Sequence, residues 1–422
     1  MLRVWVGSKP VGVLDRSGKR GSTFVYDVKA DGRDAVSLTM PKRTESWNSQ
    51  FGLLPIFDMN LPEGALEGKI RTAFAKALGR FDDIDLLAVV GRSQIGRIRF
   101  TGMEEGLVED VPFRSIDDLL RARREGELYN ELLETYAVHS GVAGVQPKVL
   151  VRAREDKQSD GRESLSVRGA THIVKMWDPV EYPELAANEF FCLMAAQEVG
   201  LDVPDFRLSE DGLALVVERF DLTDGLYLGY EDFCVLNGVT SKDKYNGGYE
   251  TKLFRRIKEF VSPENAVGSL EAAFRLFVMN CAIRNGDAHL KNFGVVYKDA
   301  DSPVRLAPVY DLITTRAYIK NDAMALTLDD STDWPGRKKL DRLGVTRANL
   351  RPARVAEIVE QTCDTLSDVS RRAKVYFGES RFPQVGERML REWQAGASSL
   401  CEGKTIHLME VPDEQPAQTA II

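Results

Sequence analysis

The sequence predicts an α+β fold in which strands dominate the first half of the chain and helices the second. Short apolar and β-branched runs bounded by turn residues recur within residues 1–110 and again within 148–177. Residues 272–284, AAFRLFVMNCAIR, form an apolar run typical of a buried helix. Two short strands, NFGVVY and VRLAPVY, are expected after it, around a polar turn at 298–302.

The composition is that of a soluble globular protein with two or three domains. The chain has 422 residues, of which 43% are hydrophobic and 28% charged. It has no run of about eighteen apolar residues, so we expect no membrane span. The start, MLRVWVGSKPVGVL, is too short and too interrupted to be a secretory signal, and we expect a cytoplasmic location. Five scattered cysteines without a CxxC pair, and only four histidines, support neither a disulfide scaffold nor a zinc site. A metal would therefore need oxygen ligands, which favours Mg²⁺, and the net charge of −8 argues against a large nucleic-acid surface.

The elements can be assigned in chain order. Within residues 1–110 we expect a β-rich N-terminal domain with strands at 2–6, 11–14, 23–26 and 35–39, a helix at about 68–78, and a closing strand near residue 100. A bridging helix is expected over 111–137, where charges alternate with leucines at helical intervals. A strand-rich unit over 138–235, a helical unit over 236–410 and a frayed tail at 411–422 should follow.

The segment NGDAHLKN, residues 285–292, carries the clearest chemical pattern. Asp287 precedes Asn292 by five residues, and Asp311 follows in LAPVYDL. The first spacing is that of the catalytic loop of protein kinases, with Asn-Gly-Asp in place of His-Arg-Asp. Asp287 would then orient an attacking hydroxyl and accept its proton, while Asn292 and Asp311 hold Mg²⁺. A polar loop with an aspartate turn and an asparagine cap is the alternative, but the helix–loop–hairpin context favours phosphoryl transfer.

Upstream segments supply what a nucleotide site also needs. In SGVAGVQPK, residues 140–148, two glycines at 141 and 144 would let the backbone approach a phosphate. KVLVRAR and THIVKMW predict antiparallel strands, and Lys175 near the end of the second would reach the phosphates. Taken alone, Lys175 would be a solvated strand-end lysine. Glu189, at the start of the predicted helix NEFFCLMAAQEVG, could pair with Lys175 or simply interact with the helix dipole.

A hinge is expected where the buried strand at 213–217 ends in Glu218, Arg219 and Phe220. This hinge would present backbone groups and an aromatic ring to adenine. The alternative for Arg219 and Asp221 is a structural ion pair.

Together these segments resemble the HipA family, the serine/threonine kinase toxins of type II toxin–antitoxin modules. The resemblance implies a protein-kinase-like two-lobed fold, with a β-rich small lobe, an all-helical large lobe and an added β-rich N-terminal domain. The matching segments occur in the family's order over almost the whole chain: FDMNLPEG, GVQPK, THIVK, NEFFCLMAAQEVGLDVPD, VERFD, NGDAHLKNF and APVYDL.

The resemblance also implies roles for individual residues. Asp287 would be the catalytic base, and Asn292 and Asp311 would hold Mg²⁺. The expected ATP-binding residues come from the glycine-rich loop, the strands, the hinge and the catalytic loop: Gly144, Val145, Gln146, Lys148, Lys175, Glu218, Phe220, His289 and Lys291.

Members of this family phosphorylate aminoacyl-tRNA synthetases such as glutamyl-tRNA synthetase, arrest translation and promote dormancy. The implied partners are such a protein substrate, a HipB-like helix-turn-helix antitoxin, and operator DNA reached through the antitoxin. A small-molecule kinase of the same architecture and a non-catalytic partner module are the alternatives. The intact acidic and amide set argues against the second, and the loop TSKDKYNGGYE at 240–250 favours a protein substrate over a small one.

One position departs from the family pattern. The family usually carries an autophosphorylated serine three residues before the glycine that corresponds to Gly144, and this chain has Gly141 there. A serine is present one residue earlier, at Ser140. We therefore expect that self-phosphorylation of this loop is either weakened or moved to Ser140, for which a structural turn role is the alternative.

Overall fold

The computed structural model describes residues 1–78, 81–121, 127–144, 146–154, 169–177 and 182–401. Two of the expectations, the phosphate-binding role of Val145 and the frayed tail at 411–422, lie outside the described residues.

The first hundred residues are built on a five-stranded antiparallel sheet. Apolar and polar residues alternate along its strands, so one face is buried against helices and the other faces solvent. The strand order is β4-β3-β2-β1-β5. The elements are β1 Leu2–Val6, β2 Lys9–Ser17, β3 Gly21–Tyr26, β4 Trp47–Ser49, α1 Pro55–Asp58, α2 Gly64–Leu78, α3 Asp83–Val90 and β5 Ile98–Thr101.

The strand predicted at 35–39 is wrong. This segment follows a short 3₁₀ turn, and only Ser37 and Met40 form an isolated bridge. The Tyr26 hydroxyl accepts the N–H of Val36 at 2.9 Å and donates to the carbonyl of Met40 at 2.5 Å. The buried phenol therefore closes these residues into a loop, and they pair with no neighbouring strand.

A second five-stranded sheet forms the small lobe, in the order β6-β7-β8-β10-β9. The predicted antiparallel pairing of KVLVRAR with THIVKMW is confirmed, and its register places Lys148 opposite Lys175. The predicted bridging helix is found as two shorter helices, α4 and α5. The elements are β6 Phe113–Ser115, α4 Ile116–Leu120, α5 Glu127–Tyr136, β7 Lys148–Arg154, β8 His172–Met176, α6 Leu185–Glu198, β9 Phe206–Leu208 and β10 Ala214–Glu218.

The two sheets share one hydrophobic core. Phe24 and Phe100 of the first sheet belong to the same cluster of buried side chains as Val149, Val174 and Val216 of the second. Residues 1–110, called the N-terminal unit below, therefore pack as an integral layer on the small lobe.

The large lobe is predominantly helical, with a three-stranded sheet, β13-β14-β15, at its junction with the small lobe. Its core joins the faces of α6, α9, α11 and α12 in a second hydrophobic cluster. The elements are β11 Leu222–Thr223, β12 Leu226–Tyr227, β13 Gly229–Asp232, α7 Phe233–Leu236, α8 Arg255–Phe260, α9 Pro263–Ile283, β14 Gly294–Tyr297, β15 Arg305–Leu306, α10 Arg337–Thr346, α11 Pro352–Glu379 and α12 Pro383–Leu400.

Helix α9 is the central helix of this lobe and leads into the segment NGDAHLKN. It is long and apolar enough to cross a membrane, but 72% of its apolar window is buried inside the protein, as expected of a core helix. The helix ends at Ile283, its cap Arg284 has φ +58, and the N–H of Asn285 then bonds the carbonyl of Asn280 at 2.9 Å. This left-handed cap turns the chain sharply and begins the next loop at a fixed angle.

Candidate active site

The two lobes enclose a cleft of about 630 Å³, a volume typical of a small-molecule site. The small-lobe sheet forms one wall of the cleft, called the roof below. The loop at 285–292 and the segment at 309–311 form the opposite wall, called the floor. Residues predicted for the site that line the cleft are Gly144, Gln146, Lys148, Lys175, Glu218, Phe220, Asp287, His289, Lys291, Asn292 and Asp311.

Lys175 is paired with two carboxylates inside the cleft. Its Nζ lies 2.5 Å from Glu189 Oε1 and also contacts Asp311 Oδ1. Glu189 lies in the second turn of α6, since the helix begins at Leu185, so the expected position at the helix start is wrong. The alternative, that Glu189 only interacts with the helix dipole, is not supported, because the effect of the dipole falls off beyond the first turn. Burial lowers the pKa of Lys175, but the two carboxylates outweigh it and raise that pKa.

Lys148 is a second buried cation in the same place. It lies opposite Lys175 across β7 and β8, and its Nζ is 3.7 Å from Asp311 Oδ2. Burial lowers the pKa of Lys148. Next to it, Gly144 has φ +115, and a Cβ there would lie 2.5 Å from Lys148 Nζ. The glycine therefore leaves room for this ammonium under the loop.

Asp311 and Asn292 lie side by side at the floor. The Asn292 amide donates to the Asp311 carbonyl at 3.4 Å, and its Oδ1 accepts the N–H of His289 at 3.2 Å. Burial raises the pKa of Asp311, but Lys148 and Lys175 outweigh it and hold that pKa well below the usual range. An ionised carboxylate beside an amide oxygen is a donor set that suits Mg²⁺, so these residues fit the expected metal.

The backbone at Asp311 is itself unusual, with φ +52. Left-handed backbone is uncommon outside glycine and tends to occur at functional sites. Here it turns the carboxylate toward both lysines.

Asp287 lies at the mouth of the cleft, with its side chain 44% exposed. The Tyr245 hydroxyl donates to its Oδ1 at 2.7 Å, and His289 Nε2 lies 3.9 Å from the same oxygen. Burial raises the pKa of Asp287, and the hydrogen bond from Tyr245 opposes that rise. The exposed carboxylate can therefore be approached by a hydroxyl from outside the cleft.

The surroundings of His289 and Lys291, in the loop at 285–292, leave neither side chain as a free cation for a phosphate. Burial, with nearby Lys244 and Lys291, lowers the pKa of His289 to about 3, so the imidazole is neutral at pH 7. Lys291 Nζ is bonded to the Met59 carbonyl at 3.0 Å, Glu63 Oε1 at 3.0 Å and Ser241 Oγ at 2.9 Å. All three ammonium protons have protein acceptors, so Lys291 acts as a structural tie in this arrangement.

Sequence reasoning missed the acceptor at the centre of that tie, Glu63. Its two oxygens lie 3.0 Å from Lys291 and 3.0 Å from Lys244. Burial raises the pKa of Glu63, but the two lysines outweigh it and bring that pKa to about 2. The available signal was the motif FDMNLPEG, residues 57–64, which brings the N-terminal unit into the cleft.

For the segment after β10, the sequence left open an aromatic ring facing the cleft and a structural ion pair. The structure contains both. Phe220 lines the cleft and stacks on Tyr310, with ring centroids 5.7 Å apart and planes 20° from parallel. Arg219 and Asp221 form the alternative structural ion pair, at 2.6 Å and almost completely buried. Asp221 Oδ2 also accepts the N–H of Gly96 at 2.6 Å, so the pair anchors the N-terminal unit to the hinge.

Ser140 is placed away from the cleft. Its side chain is fully buried, donates to the Tyr136 carbonyl at 2.7 Å and accepts the N–H of Leu150 at 2.9 Å. Gly141 bridges to Gln94, and a Cβ there would lie 2.5 Å from Gln94 Cβ. The arrangement fits the structural alternative for Ser140 and explains a glycine at 141.

Comparison with known proteins agrees with this architecture. A model of the HipA N-terminal domain matches residues 2–101, and a model of the HipA-like C-terminal domain matches residues 140–369. "Putative kinase Y4mE" of Sinorhizobium fredii is 31% identical over 358 residues, covering 75% of this chain and 78% of that protein. "Putative kinase Y4dM" of the same organism is 28% identical over 347 residues, covering 77% and 80% respectively.

The fold is similar to that of Shewanella oneidensis MR-1 HipA, which was solved with HipB and its operator DNA. The TM-score is 0.63 at 20% identity, covering 95% of this chain and 97% of the other. This likeness bears on the fold, which is a kinase-like fold with a β-rich N-terminal region. Because the C-terminal family model alone covers more than half of the sequence, this chain belongs to the HipA family.

Proposed function

We propose that this chain is an ATP- and Mg²⁺-dependent serine/threonine protein kinase toxin. It would transfer the γ-phosphate of ATP to a hydroxyl of a protein substrate. The observation that carries the proposal is the Lys175–Asp311 contact, which joins the roof of the cleft to its floor beside Asn292. It supports the proposal because Lys175, Asn292 and Asp311, which would serve as phosphate-binding cation and metal ligands, line the same cleft as Asp287.

Each side chain has a distinct task in that reaction. Lys175, held by Glu189, presents a fixed ammonium to the ATP phosphates. Asp287 takes the proton of the attacking hydroxyl as the new O–P bond forms and the bond to ADP breaks. Mg²⁺, held by the oxygens of Asn292 and Asp311, would supply charge to neutralise the phosphates.

The proposed partners follow from family membership. The Shewanella protein was solved with HipB and operator DNA, which supports a HipB-like helix-turn-helix antitoxin here and DNA contact through that antitoxin. By resemblance to the family, the substrate is an aminoacyl-tRNA synthetase such as glutamyl-tRNA synthetase. Its phosphorylation would arrest translation in the cytoplasm and promote dormancy.

The test is to incubate the purified protein with bacterial lysate and γ-labelled ATP. We expect the wild type to label a protein band, and Asp287→Asn to label it about 10²–10⁴ times more slowly. Asp330→Asn is a matched control, since Asp330 is exposed and lies outside the cleft. Calorimetry should show that both variants still bind ATP.

Three results would contradict the proposal in different ways. Undiminished labelling by Asp287→Asn would reject the catalytic assignment. Label confined to small molecules would favour the small-molecule kinase. A wild type that binds ATP yet transfers no label would favour the non-catalytic module.

A further inference from the structure

Tyr245 contacts Asp287, the proposed catalytic base. Its hydroxyl donates a hydrogen bond of 2.7 Å to Asp287 Oδ1, and its ring meets His289 edge-on with centroids 5.0 Å apart. Within the described part of the chain, no other side-chain hydrogen bond to this carboxylate is found. The second oxygen, Oδ2, is therefore left for a different partner.

We propose that Tyr245 is a positioning residue for phosphoryl transfer, holding one oxygen of Asp287 so that the other faces the acceptor hydroxyl. This inference rests on the proposed function. The terminal torsion of an aspartate is broad, and this side chain is 44% exposed, so packing alone does not fix the plane of the carboxylate. A proton acceptor needs that orientation before the hydroxyl arrives.

The segment that contains Tyr245 is hydrogen-bonded to the proposed catalytic loop, residues 285–292. The carbonyl of Lys244 accepts the N–H of Leu290 at 3.1 Å. Four residues after Tyr245, the Tyr249 hydroxyl donates to the Ala288 carbonyl at 2.9 Å. Both ends of the segment are thus tied to the loop that bears Asp287, which limits the movement of the phenol relative to the carboxylate.

The N-terminal unit holds the same segment from the other side. Lys244, which immediately precedes Tyr245, forms an ion pair with Glu63 at 3.0 Å. Glu63 also holds Lys291 on the catalytic loop. Glu63 therefore restrains the position of both the segment that contains Tyr245 and the loop that contains Asp287.

The contact has an electrostatic consequence as well as a geometric one. Burial and the Asp287 charge raise the pKa of Tyr245, so the phenol stays protonated and remains a donor at neutral pH. A donor to the charged form of a carboxylate lowers its pKa, and this bond opposes the rise that burial causes at Asp287. Tyr245 therefore favours the ionised form that can accept a proton.

The experiment compares wild type with Tyr245→Phe, which removes only the hydroxyl. Label transfer to lysate protein is followed over a range of γ-labelled ATP concentrations and of pH, at one fixed lysate concentration. We expect the apparent kcat, which is the rate at saturating ATP, to fall about tenfold, as for loss of one hydrogen bond to a charged group, while KM for ATP is unchanged. The acid limb of kcat should move to higher pH, because losing the donor raises the pKa of Asp287 and the base must be deprotonated.

Tyr376→Phe is the matched control, because its hydroxyl contacts Glu184 outside the cleft. It should leave kcat and the acid limb unchanged. An unchanged kcat and acid limb in Tyr245→Phe would overturn the proposal. A higher kcat in Tyr245→Phe would also overturn it, because it would show that the phenol competes with the acceptor hydroxyl for Asp287. Phosphate mapped to Tyr245 in the wild type would overturn it as well. A wild type without any transfer would reject the proposed function, and this role with it, whereas an active wild type with an unaffected variant rejects only the role.

Discussion

Glu63 of the N-terminal unit lies 3.0 Å from Lys291 of the loop that follows α9, although 228 residues separate them in the sequence. The same carboxylate pairs with Lys244. The N-terminal unit thus contributes a side chain to the cleft between the lobes. This arrangement leads to the first two predictions.

Glu63→Gln should destabilise the protein, because it leaves two largely buried ammonium groups, those of Lys244 and Lys291, without their counter-ion. We expect a loss of about 1–3 kcal/mol in the free energy of unfolding, less than for a fully buried pair because the Glu63 side chain is 21% exposed. Urea unfolding measures this loss. The exposed Glu104→Gln is the control, because Glu104 lies in a turn outside any helix, and it should change the free energy by less than about 0.5 kcal/mol. Equal stabilities of the two variants would show that the ion pairs contribute nothing.

The same carboxylate should add an acid-sensitive component to stability. Its pKa is lowered from 4.5 to about 2 by folding, so its contribution is complete above pH 4.5 and is lost as the pH falls toward 2. The difference in unfolding free energy between wild type and Glu63→Gln should therefore shrink across that window. A constant difference between pH 6 and pH 3 would contradict the assignment.

Asp311→Asn should remove the Mg²⁺ dependence of ATP binding, because the amide of the new residue and Asn292 together supply no charge to the metal. Asparagine is preferred to alanine here, since it tolerates the φ of +52 at this position. Calorimetry with and without Mg²⁺ measures the effect, and Asp330→Asn is again the control. A variant that keeps the wild-type Mg²⁺ dependence would reduce Asp311 to a structural turn residue.

Gly141→Ser, which places a serine at the family's usual position, should destabilise the protein without creating an efficient phosphate acceptor. Its Cβ would lie 2.5 Å from Gln94 Cβ and 2.9 Å from the Ser93 carbonyl, so the N-terminal unit must give way, at a cost of about 1–3 kcal/mol. Unfolding in urea and peptide mapping after ATP incubation check both points. In the wild type we expect no phosphate on Ser140, whose hydroxyl is buried and doubly bonded. Stoichiometric phosphate on Ser140 would contradict this.

Expression without an antitoxin should inhibit growth, and the inhibition should depend on Lys175 and Asp287. The reason is that the proposed toxicity requires phosphoryl transfer, which both residues serve. Growth after induction of wild type, Lys175→Met and Asp287→Asn gives the measurement, with immunoblots to match protein levels. Equal toxicity of all three would favour a binding module.

Much of the fold could be predicted because its signals are local. Strand β1 occurs at the predicted bounds, and the pairing of β7 with β8 is confirmed, since apolar alternation and turn residues act over a few positions. One failure involves a partner outside the predicted segment, and the other is a helix boundary. The segment at 35–39 has strand-like residues, but the Tyr26 hydroxyl hydrogen-bonds the N–H of Val36 and the carbonyl of Met40 and closes the segment into a loop. Glu189 was expected at a helix start, but the helix begins four residues earlier.

The sequence by itself determined the family pattern, the order of the strand and helix units, and the residue types that the cleft brings together. Tertiary structure alone decided what each charged group faces. Lys291 and Ser140 both seemed available in the sequence, yet Lys291 is paired with Glu63, and the buried Ser140 hydroxyl is bonded to Tyr136 and Leu150. The physical reason is that buried charges and hydroxyls must find partners, and a partner such as Glu63, 228 residues from Lys291, comes from a segment that neither spacing nor periodicity relates to it.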